Sequence, residues 1–286
     1  MRNIFKKIFN VQGKTKEEWL TQAEMSFSLE KFEEALAAYE QVILLAPDDA
    51  NAYLNKGITL DTLERHEEAL AAYEQAIFLN PQSAATYNNK GITLDALEKH
   101  EEALAAYEQA ILLAPDDIVA HSNKGSALLF LERYEEALAA YEQAILLAPD
   151  DVGIYLNKGC ALNALERYEE ALAVYEQAIL LAPDDADAHN NKGNILKNLK
   201  RYEEAFAAYE QAILLAPDDA VAYLNKGNTL AALERYEEAL AAYEQAILLA
   251  PDDDYAYQRK GNALTALGRR GEAQKAYQKA KELEYS

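Results

Sequence analysis

Apolar residues recur along this chain at helical spacing in paired runs, and the pair returns every 34 residues. In residues 50–83, the first run carries Tyr53, Gly57, Leu60 and Leu63. The second run carries Ala69, Tyr73, Ala76, Ile77 and Leu79. Intervals of three and four residues place such side chains on one face of an amphipathic helix. Each unit is therefore predicted to form two helices that share an apolar interface.

Prolines and glycines keep the same period. The prolines are Pro47, Pro81, Pro115, Pro149, Pro183, Pro217 and Pro251. The periodic glycines are Gly57, Gly91, Gly125, Gly159, Gly193, Gly227 and Gly261. Each proline is expected to end a second helix, and the acidic pair that follows most of them suits the start of the next helix. Glu64 and Arg65 are predicted to form the turn inside one unit. A glycine at this place lets the two helices of a unit approach closely, with Tyr73 filling the adjacent space.

Eight units fit this period, and they predict one array over residues 16–286 after a separate segment, residues 1–15. The units start at residues 16, 50, 84, 118, 152, 186, 220 and 254. The first unit has Ala23 in place of glycine, and the last has Gln274 where the others have Leu or Phe. Polar residues at a terminal unit suit an exposed end, so we expect the array to end near Ser286.

The segment Met1–Asn10 has a pattern of its own. Ile4, Phe5, Ile8 and Phe9 share one helical face, and basic residues lie off it. This pattern leaves two alternatives open. The segment is either a helix on a membrane surface or a small cap packed on the first repeat.

Charge and composition exclude several classes of function. The chain has 49 acidic and 27 basic side chains and a net charge of -22, which disfavours nucleic acid and favours partners that are neutral or basic overall. The single cysteine, Cys160, suits a reducing compartment, and we expect a cytoplasmic protein. The four histidines stand where other units have tyrosine, so they are interpreted as aromatic substitutes. Neither zinc-ligand spacing nor a phosphate-binding loop is found, so an enzyme or a bound cofactor is not expected.

The unit resembles the tetratricopeptide repeat. Counted from the first residue of a unit, it has an aromatic residue at position 4, Gly at 8, Leu at 11, Ala at 20, Tyr at 24, Ala at 27 and Pro at 32. The resemblance covers residues 16–286. It implies an all-α, right-handed superhelical solenoid of antiparallel helix pairs, whose first helices line a concave groove that binds peptides.

Candidate binding residues follow from the groove that the resemblance implies. Position 6 forms a row of amides that ends in a guanidinium, namely Asn55, Asn89, Asn123, Asn157, Asn191, Asn225 and Arg259. Carboxamides both donate and accept, so this row could hold the main chain of an extended peptide; alternatively, it could bond only to neighbouring helices. Further candidates are Asn194, Lys197, Asn228 and Asn262.

The candidate groove changes along its length. Asp61 and Asp95 lie in the N-terminal half, whereas Lys197 and Arg259 lie in the C-terminal half, so a bound peptide is expected to place its acidic end near Arg259. The last three units also resemble in part the dicarboxylate clamp of chaperone-binding repeats. They match it at Asn194, Asn225 and Arg259, but they have Asn190 and Tyr255 where that clamp has lysines.

The sequence therefore predicts a non-enzymatic protein-interaction scaffold that binds an extended peptide or a partner helix. Two alternatives stay open: a structural or self-assembling module, and a scaffold tethered to a membrane through Met1–Asn10. The near-identity of the units also fits an engineered, consensus-like array without a specific ligand.

Overall fold

The computed structural model describes residues 13–284, and all the regular secondary structure in that range is α-helical. The first helices of the units are α1 (Lys16–Ser28), α3 (Ala50–Thr62), α5 (Ala84–Ala96), α7 (Ile118–Phe130), α9 (Val152–Ala164), α11 (Ala186–Asn198), α13 (Ala220–Ala232) and α15 (Asp254–Ala266). The second helices are α2 (Phe32–Leu45), α4 (His66–Leu79), α6 (His100–Leu113), α8 (Tyr134–Leu147), α10 (Tyr168–Leu181), α12 (Tyr202–Leu215), α14 (Tyr236–Leu249) and α16 (Arg270–Glu284). The all-α prediction is confirmed.

The chain divides into two compact parts at Leu147 and Ala148, here called unit 1 and unit 2. Each 34-residue pair of helices is called a repeat from here on. Helices α1–α8 form unit 1, and α9–α16 form unit 2. Inside each unit, the two helices of a repeat pack on one another, and the second helix also packs on the first helix of the next repeat. Each unit is thus a row of helical hairpins, in which nearest-neighbour contacts build the core.

A left-handed residue makes the turn inside each repeat. In the second repeat this residue is Glu64, with φ of 58°, and the amide of Arg65 donates to the carbonyl of Leu60 at 2.9 Å. This is the Schellman arrangement that ends a helix, for which glycine is the usual choice. Glycine occupies the position only in the last repeat, as Gly268 with φ of 75°; the others have a glutamate or Lys200. The predicted turn at Glu64 and Arg65 is confirmed.

In repeats 2 to 8, a tyrosine of the second helix is pressed against a glycine of the first. A Cβ built on Gly57 would lie 2.4 Å from Cε1 of Tyr73, and one on Gly193 would lie 2.6 Å from Cε1 of Tyr209. Both tyrosines are fully buried. The close approach expected at the glycine is therefore present, and the atoms nearest to that Cβ belong to the tyrosine ring.

The links between repeats carry the predicted caps. Asp49 precedes α3, and its Oδ1 accepts from the amides of Asn51 and Ala52, both at 3.1 Å. Side chains cap the later first helices in the same way at Ser83, Asp117, Asp185, Asp219 and Asp253. Asp151 is the exception, since its side chain makes no capping bond to α9.

The lysines at position 7 pair with a glutamate of the preceding second helix, as when Nζ of Lys226 lies 3.0 Å from Oε1 of Glu210. The same pairing occurs at Lys56, Lys90, Lys124, Lys192 and Lys260. Stacking the repeats brings the lysine opposite that glutamate, so the ion pair forms where the stem is already half-buried.

The N-terminal segment Met1–Asn10 lies outside the described residues, so its two alternatives stay predictions. Between residues 13 and 284, none of the helices is long and apolar enough to cross a membrane.

Candidate functional site

The first helices lie along the inner side of each unit. In unit 1, α3, α5 and α7 approach one another directly across the repeats, and in unit 2 α9, α11, α13 and α15 do the same. Second helices make no comparable approach to each other among the described residues. Helices on the inside of a bend lie closer together than those on the outside. Each unit is therefore curved, with its first helices inside.

The asparagine row lies on these first helices and is half-buried rather than sealed in the core. In two places the row forms an amide pair with the preceding repeat. Nδ2 of Asn123 donates to Oδ1 of Asn88 at 3.2 Å, and Nδ2 of Asn225 donates to Oδ1 of Asn190 at 3.3 Å. Within the described range, no side-chain hydrogen bond is formed by Asn55, Asn157 or Asn191. Those three amides keep both their donors and their acceptor.

One member of the row bonds within its own helix. Nδ2 of Asn89 donates to the carbonyl of Ala85 at 2.8 Å. One of its two amide hydrogens is thereby used, and its oxygen keeps its accepting capacity. The row is therefore not uniform: some members keep their full capacity, and others bond to their own or the preceding repeat.

Three other predicted binding residues have a structural partner. The tyrosine of the same repeat donates its hydroxyl to Oδ1 of Asn194, Asn228 and Asn262, at 2.9, 3.1 and 2.9 Å respectively. Tyr209 and Tyr243 are buried, whereas Tyr277, the partner of Asn262, is 37% exposed. A buried hydroxyl without a partner is costly, so Asn194 and Asn228 satisfy the core. The bond uses the oxygen of each amide and leaves its NH2 group for another contact.

Where position 9 is apolar, an aspartate at position 12 takes over this role. Ile58 and Ile92 occupy position 9 of repeats 2 and 3. Asp61 Oδ2 accepts from the hydroxyl of Tyr73 at 2.6 Å, and Asp95 Oδ2 accepts from that of Tyr107 at 2.8 Å. Burial, and then the hydrogen bond to the aspartate, raise the pKa of both tyrosines.

Asp61 has two further partners. Thr93 of the next repeat donates its hydroxyl to Oδ2 of Asp61 at 2.6 Å, and Nδ1 of His66 lies 3.1 Å from Oδ1. His100 lies 3.0 Å from Asp95 in the same way. The two acidic residues assigned to the N-terminal half of the groove are therefore held by their own and neighbouring repeats.

The histidines at position 4 act as the aromatic substitutes that the sequence predicts. Nε2 of His121 lies 2.9 Å from the carbonyl of Pro115, and Nε2 of His189 lies 3.0 Å from that of Pro183. The hydroxyl of Tyr155 makes the equivalent bond to Pro149 at 3.0 Å. His66 and His100 differ, because they occur with the aspartates described above. Among residues 13–284, no cluster of side chains could hold a metal ion.

A pocket of about 400 Å³ opens on the first helices of unit 2. Its walls are formed by Lys197, Asn228, Ala231, Ala232, Tyr236, Tyr243, Tyr255, Arg259, Asn262 and Ala263. The structure thus brings together four of the predicted binding residues. No carboxylate lines this pocket, although the chain as a whole is strongly acidic.

Lys197 and Arg259 make this pocket positively charged. Both are half-buried, and neither has a carboxylate within ion-pair distance in the described part of unit 2. The partnered basic side chains of that unit include Arg167, Lys192, Lys226, Arg235 and Lys260, each paired with a glutamate. Burial, and then the charge of Arg259, lower the pKa of Lys197.

Tyr255 orients the guanidinium of Arg259. The guanidinium carbon lies 4.5 Å from the centre of the Tyr255 ring, and Nη2 donates to the tyrosine hydroxyl. Nε of Arg259 is buried and has no hydrogen-bond partner among the described residues. Burial raises the pKa of Tyr243, on the pocket wall, to about 12, although the charge of Arg259 acts to lower it. A carboxylate entering the pocket would meet two cations and an unused N–H donor.

Sequence reasoning missed the tyrosine wall and the cavity itself. Arg259 and Lys197 belong to repeats 8 and 6, and repeat 7 lies between them. Repeat 7 has Ala231 and Ala232 at positions 12 and 13. The sequence pattern that could have indicated the cavity is a repeat with small residues at positions 12 and 13 between two repeats that each carry a cation.

Comparison with known proteins places this architecture in a family. Tetratricopeptide repeat models match residues 21–84, 122–179 and 156–220, residues 84–117 and 220–253, and residues 255–286. None of the curated proteins matches this sequence.

Solved structures give the same result. The chain is similar to YrrB, described as a TPR protein with an unusual peptide-binding site, at 29% identity and a TM-score of 0.53 over 65% of this chain and 95% of that chain. A tetratricopeptide repeat protein from Parabacteroides merdae matches at 16% identity and a TM-score of 0.67, over 87% of this chain and 98% of that chain. The Cut9–Hcn1 hetero-tetramer of APC/C matches at 19% identity and a TM-score of 0.61, over 98% of this chain and 55% of that chain. With family models matching most of its length, this chain belongs to the tetratricopeptide repeat family.

Proposed function

We propose that this protein is a non-enzymatic scaffold that binds an extended peptide along the first helices of unit 2. The observation that carries the proposal is the pair Lys197 and Arg259, two half-buried cations with no carboxylate partner in the described part of that unit. Retaining two such cations together is unfavourable, as the lowered pKa of Lys197 indicates. A bound carboxylate removes that cost.

The ligand is proposed to place an acidic group in the pocket and to extend its main chain towards Asn191 and Asn157. These two amides keep their donors and acceptors, so they suit the alternating N–H and C=O groups of a peptide. YrrB, which is similar over most of its own length, has a peptide-binding site. The partner is expected to be neutral or basic outside the acidic group, because the chain's net charge of -22 repels an acidic protein.

The test is selection from a library of random peptides that have free carboxyl termini. Wild-type protein is expected to enrich peptides with Asp, Glu or the terminal carboxylate at a fixed place. The double variant Lys197→Ala, Arg259→Ala should weaken binding of the selected peptide by roughly ten- to hundredfold, since a hydrogen bond to a charged group contributes about 1.5–3 kcal/mol. Lys226→Ala is the matched control, because that lysine is half-buried but paired with Glu210.

Two outcomes would contradict the proposal in different ways. Equal binding by the wild type and by the double variant would show that no carboxylate binds in the pocket. Unchanged affinity in the double variant Asn157→Ala, Asn191→Ala would show that these amides do not contact the peptide main chain, and only the carboxylate contact in the pocket would then remain. Raising the salt concentration should weaken binding, because ion contacts that are partly exposed are screened.

A further inference from the structure

We propose that a row of exposed apolar side chains on the second helices is a docking surface for a basic amphipathic helix of a partner protein. The row is position 29 of repeats 1 to 7, in the last turn of each second helix. Its members, here called the outer row, are Leu44, Phe78, Leu112 and Leu146 in unit 1, and Leu180, Leu214 and Leu248 in unit 2. They are 72–80% exposed, more than any other large apolar side chain between residues 13 and 284.

The fold does not require an apolar residue at this position. Repeat 8 has the exposed Glu282 there, and α16 continues as a helix to Glu284. In repeat 2, the link after α4 differs from the other links at Asn80 and Gln82, yet position 29 is Phe78, which is again apolar. Apolar side chains that recur at one outward position expose more apolar surface than isolated ones, and such surfaces mark sites of interaction.

The outward face of each second helix has the spacing that a partner helix needs. Position 22 lies two turns before position 29 and is an exposed alanine in repeats 1 to 7, as Ala105 is before Leu112. Residues seven apart lie on one side of a helix, and a small residue there lets another helix approach closely. In repeat 8 both positions are charged, as Lys275 and Glu282, so the apolar face ends with repeat 7.

The charge around the outer row favours a basic partner. Residues 118–151, which form repeat 4, include six acidic and two basic side chains, and none of the six lies on α7. The acids are in the turn, in α8 and in the link, where Asp150 is exposed beside Leu146 in sequence. Helix α8 also has no basic residue in its last turn, although the carbonyl end of a helix is negative.

This charge distinguishes between possible occupants. A helix with lysine or arginine beside its apolar face would meet opposite charge together with exposed leucine. An anionic lipid surface, or a second copy of this chain with its net charge of -22, would instead be repelled. The outer row therefore fits a basic amphipathic helix best.

The test is binding of a designed helical peptide that has leucine on one face, lysine on the other and an amidated C-terminus. A second peptide has glutamate in place of every lysine. Fluorescence anisotropy should show that the full-length protein binds the lysine peptide and not the glutamate peptide. The four substitutions Phe78→Ser, Leu112→Ser, Leu214→Ser and Leu248→Ser together should weaken binding by roughly tenfold or more, because they remove apolar contact area and leave the charge unchanged.

The matched control is the double variant Val119→Ser, Val221→Ser. These valines are 54% and 55% exposed but lie on the first helices α7 and α13, so affinity should stay as in the wild type. Lys197→Ala, Arg259→Ala should also bind the lysine peptide normally, since an amidated peptide of this composition has no carboxylate for the pocket. The outer row can thus fail while the pocket proposal stands, and the reverse. Circular dichroism checks that all variants are folded.

The proposal is wrong if the lysine peptide does not bind, or if the four-residue variant binds it as tightly as the wild type, since charge alone would then explain binding. Vesicles of phosphatidylcholine and phosphatidylserine, and sedimentation without peptide, test the other occupants. Vesicle binding that the four-residue variant loses, without peptide binding, would assign the row to a lipid surface. A wild-type dimer that this variant converts to a monomer, again without peptide binding, would assign it to a second copy.

Discussion

At the scale of single residues, the tyrosine hydroxyl limits which residue types can occupy positions 9 and 12 of the first helices. Each described bond joins the buried tyrosine to a polar residue one helix away, which is Asp61 in repeat 2 and Asn228 in repeat 7. Position 9 or position 12 must supply that partner. Variation along the inner surface is therefore constrained by the core beneath it.

The contact between glycine and tyrosine gives a stability prediction. Gly193→Ala should destabilise the protein by roughly 1–3 kcal/mol, because the added methyl group overpacks a buried ring that has no free space to enter. Gly271→Ala is the control, since a Cβ there meets no atom within 4 Å. The measurement is the midpoint of urea unfolding. An equal effect of both substitutions would contradict the contact.

Asp61 gives a second prediction at this scale. Asp61→Asn should destabilise repeats 2 and 3 by about 1–3 kcal/mol, since it removes the negative charge that strengthens the two bonds that Tyr73 and Thr93 donate to Oδ2. Asp95→Asn should cost less, because the next repeat has Ala127 at the place of Thr93. Hydrogen exchange of α3 and α5 measures both variants. A larger loss in Asp95→Asn would show that the bond between repeats is unimportant.

At the scale of helices, the turns hold residues in a conformation that costs energy. Glu132 has φ of 58° between α7 and α8. Glu132→Gly should raise the free energy of unfolding by up to about 1 kcal/mol, because glycine adopts this conformation without a Cβ penalty. Gly268→Glu should lower it by a similar amount. Thermal unfolding of the two variants gives the comparison, and shifts of the same sign would refute the argument.

Much of the helical framework could be predicted from sequence. The 34-residue period was enough to predict the turn at Glu64 and helix caps such as Asp49, because backbone geometry at these places permits few residue types. The binding face was harder to predict. Asn194 and Asn190 are both polar and variable in sequence, but one bonds to the core and the other to Asn225. Whether an amide is free depends on its neighbours in space, which periodicity alone does not give.

At the scale of the whole molecule, the charges are organised by pairing. Lysines at position 7 and the arginines before each second helix pair with glutamates, as Lys56 does with Glu40 and Arg65 with Glu68. Exposed pairs of this kind add little stability. Their main effect is to neutralise most of the half-buried cations, and Lys197 and Arg259 are the half-buried cations without such a partner in the described part of unit 2.

Buried tyrosines predict alkaline unfolding. The pKa of Tyr243 is raised to about 12 from 10.0, mainly by burial, and burial also raises the pKa of Tyr209 and Tyr175. Unfolded tyrosines lose their protons near pH 10, before the folded ones, so stability should be constant below that pH and fall as pH rises towards 12. Thermal unfolding from pH 8 to 12 measures this. A midpoint that does not decrease above pH 10 would contradict the role of burial.

The hydrogen bonds of the tyrosine hydroxyls also determine which repeats could be moved, deleted or duplicated. Because most tyrosines find their partner inside their own repeat, a whole repeat could be moved, deleted or duplicated without breaking that bond. Repeat 2 is different, since Asp61 also receives a bond from Thr93 of its successor. Only successors with threonine there, as in repeat 7 with Thr229, would preserve the junction. This joint is thus directional, because it depends on which repeat follows.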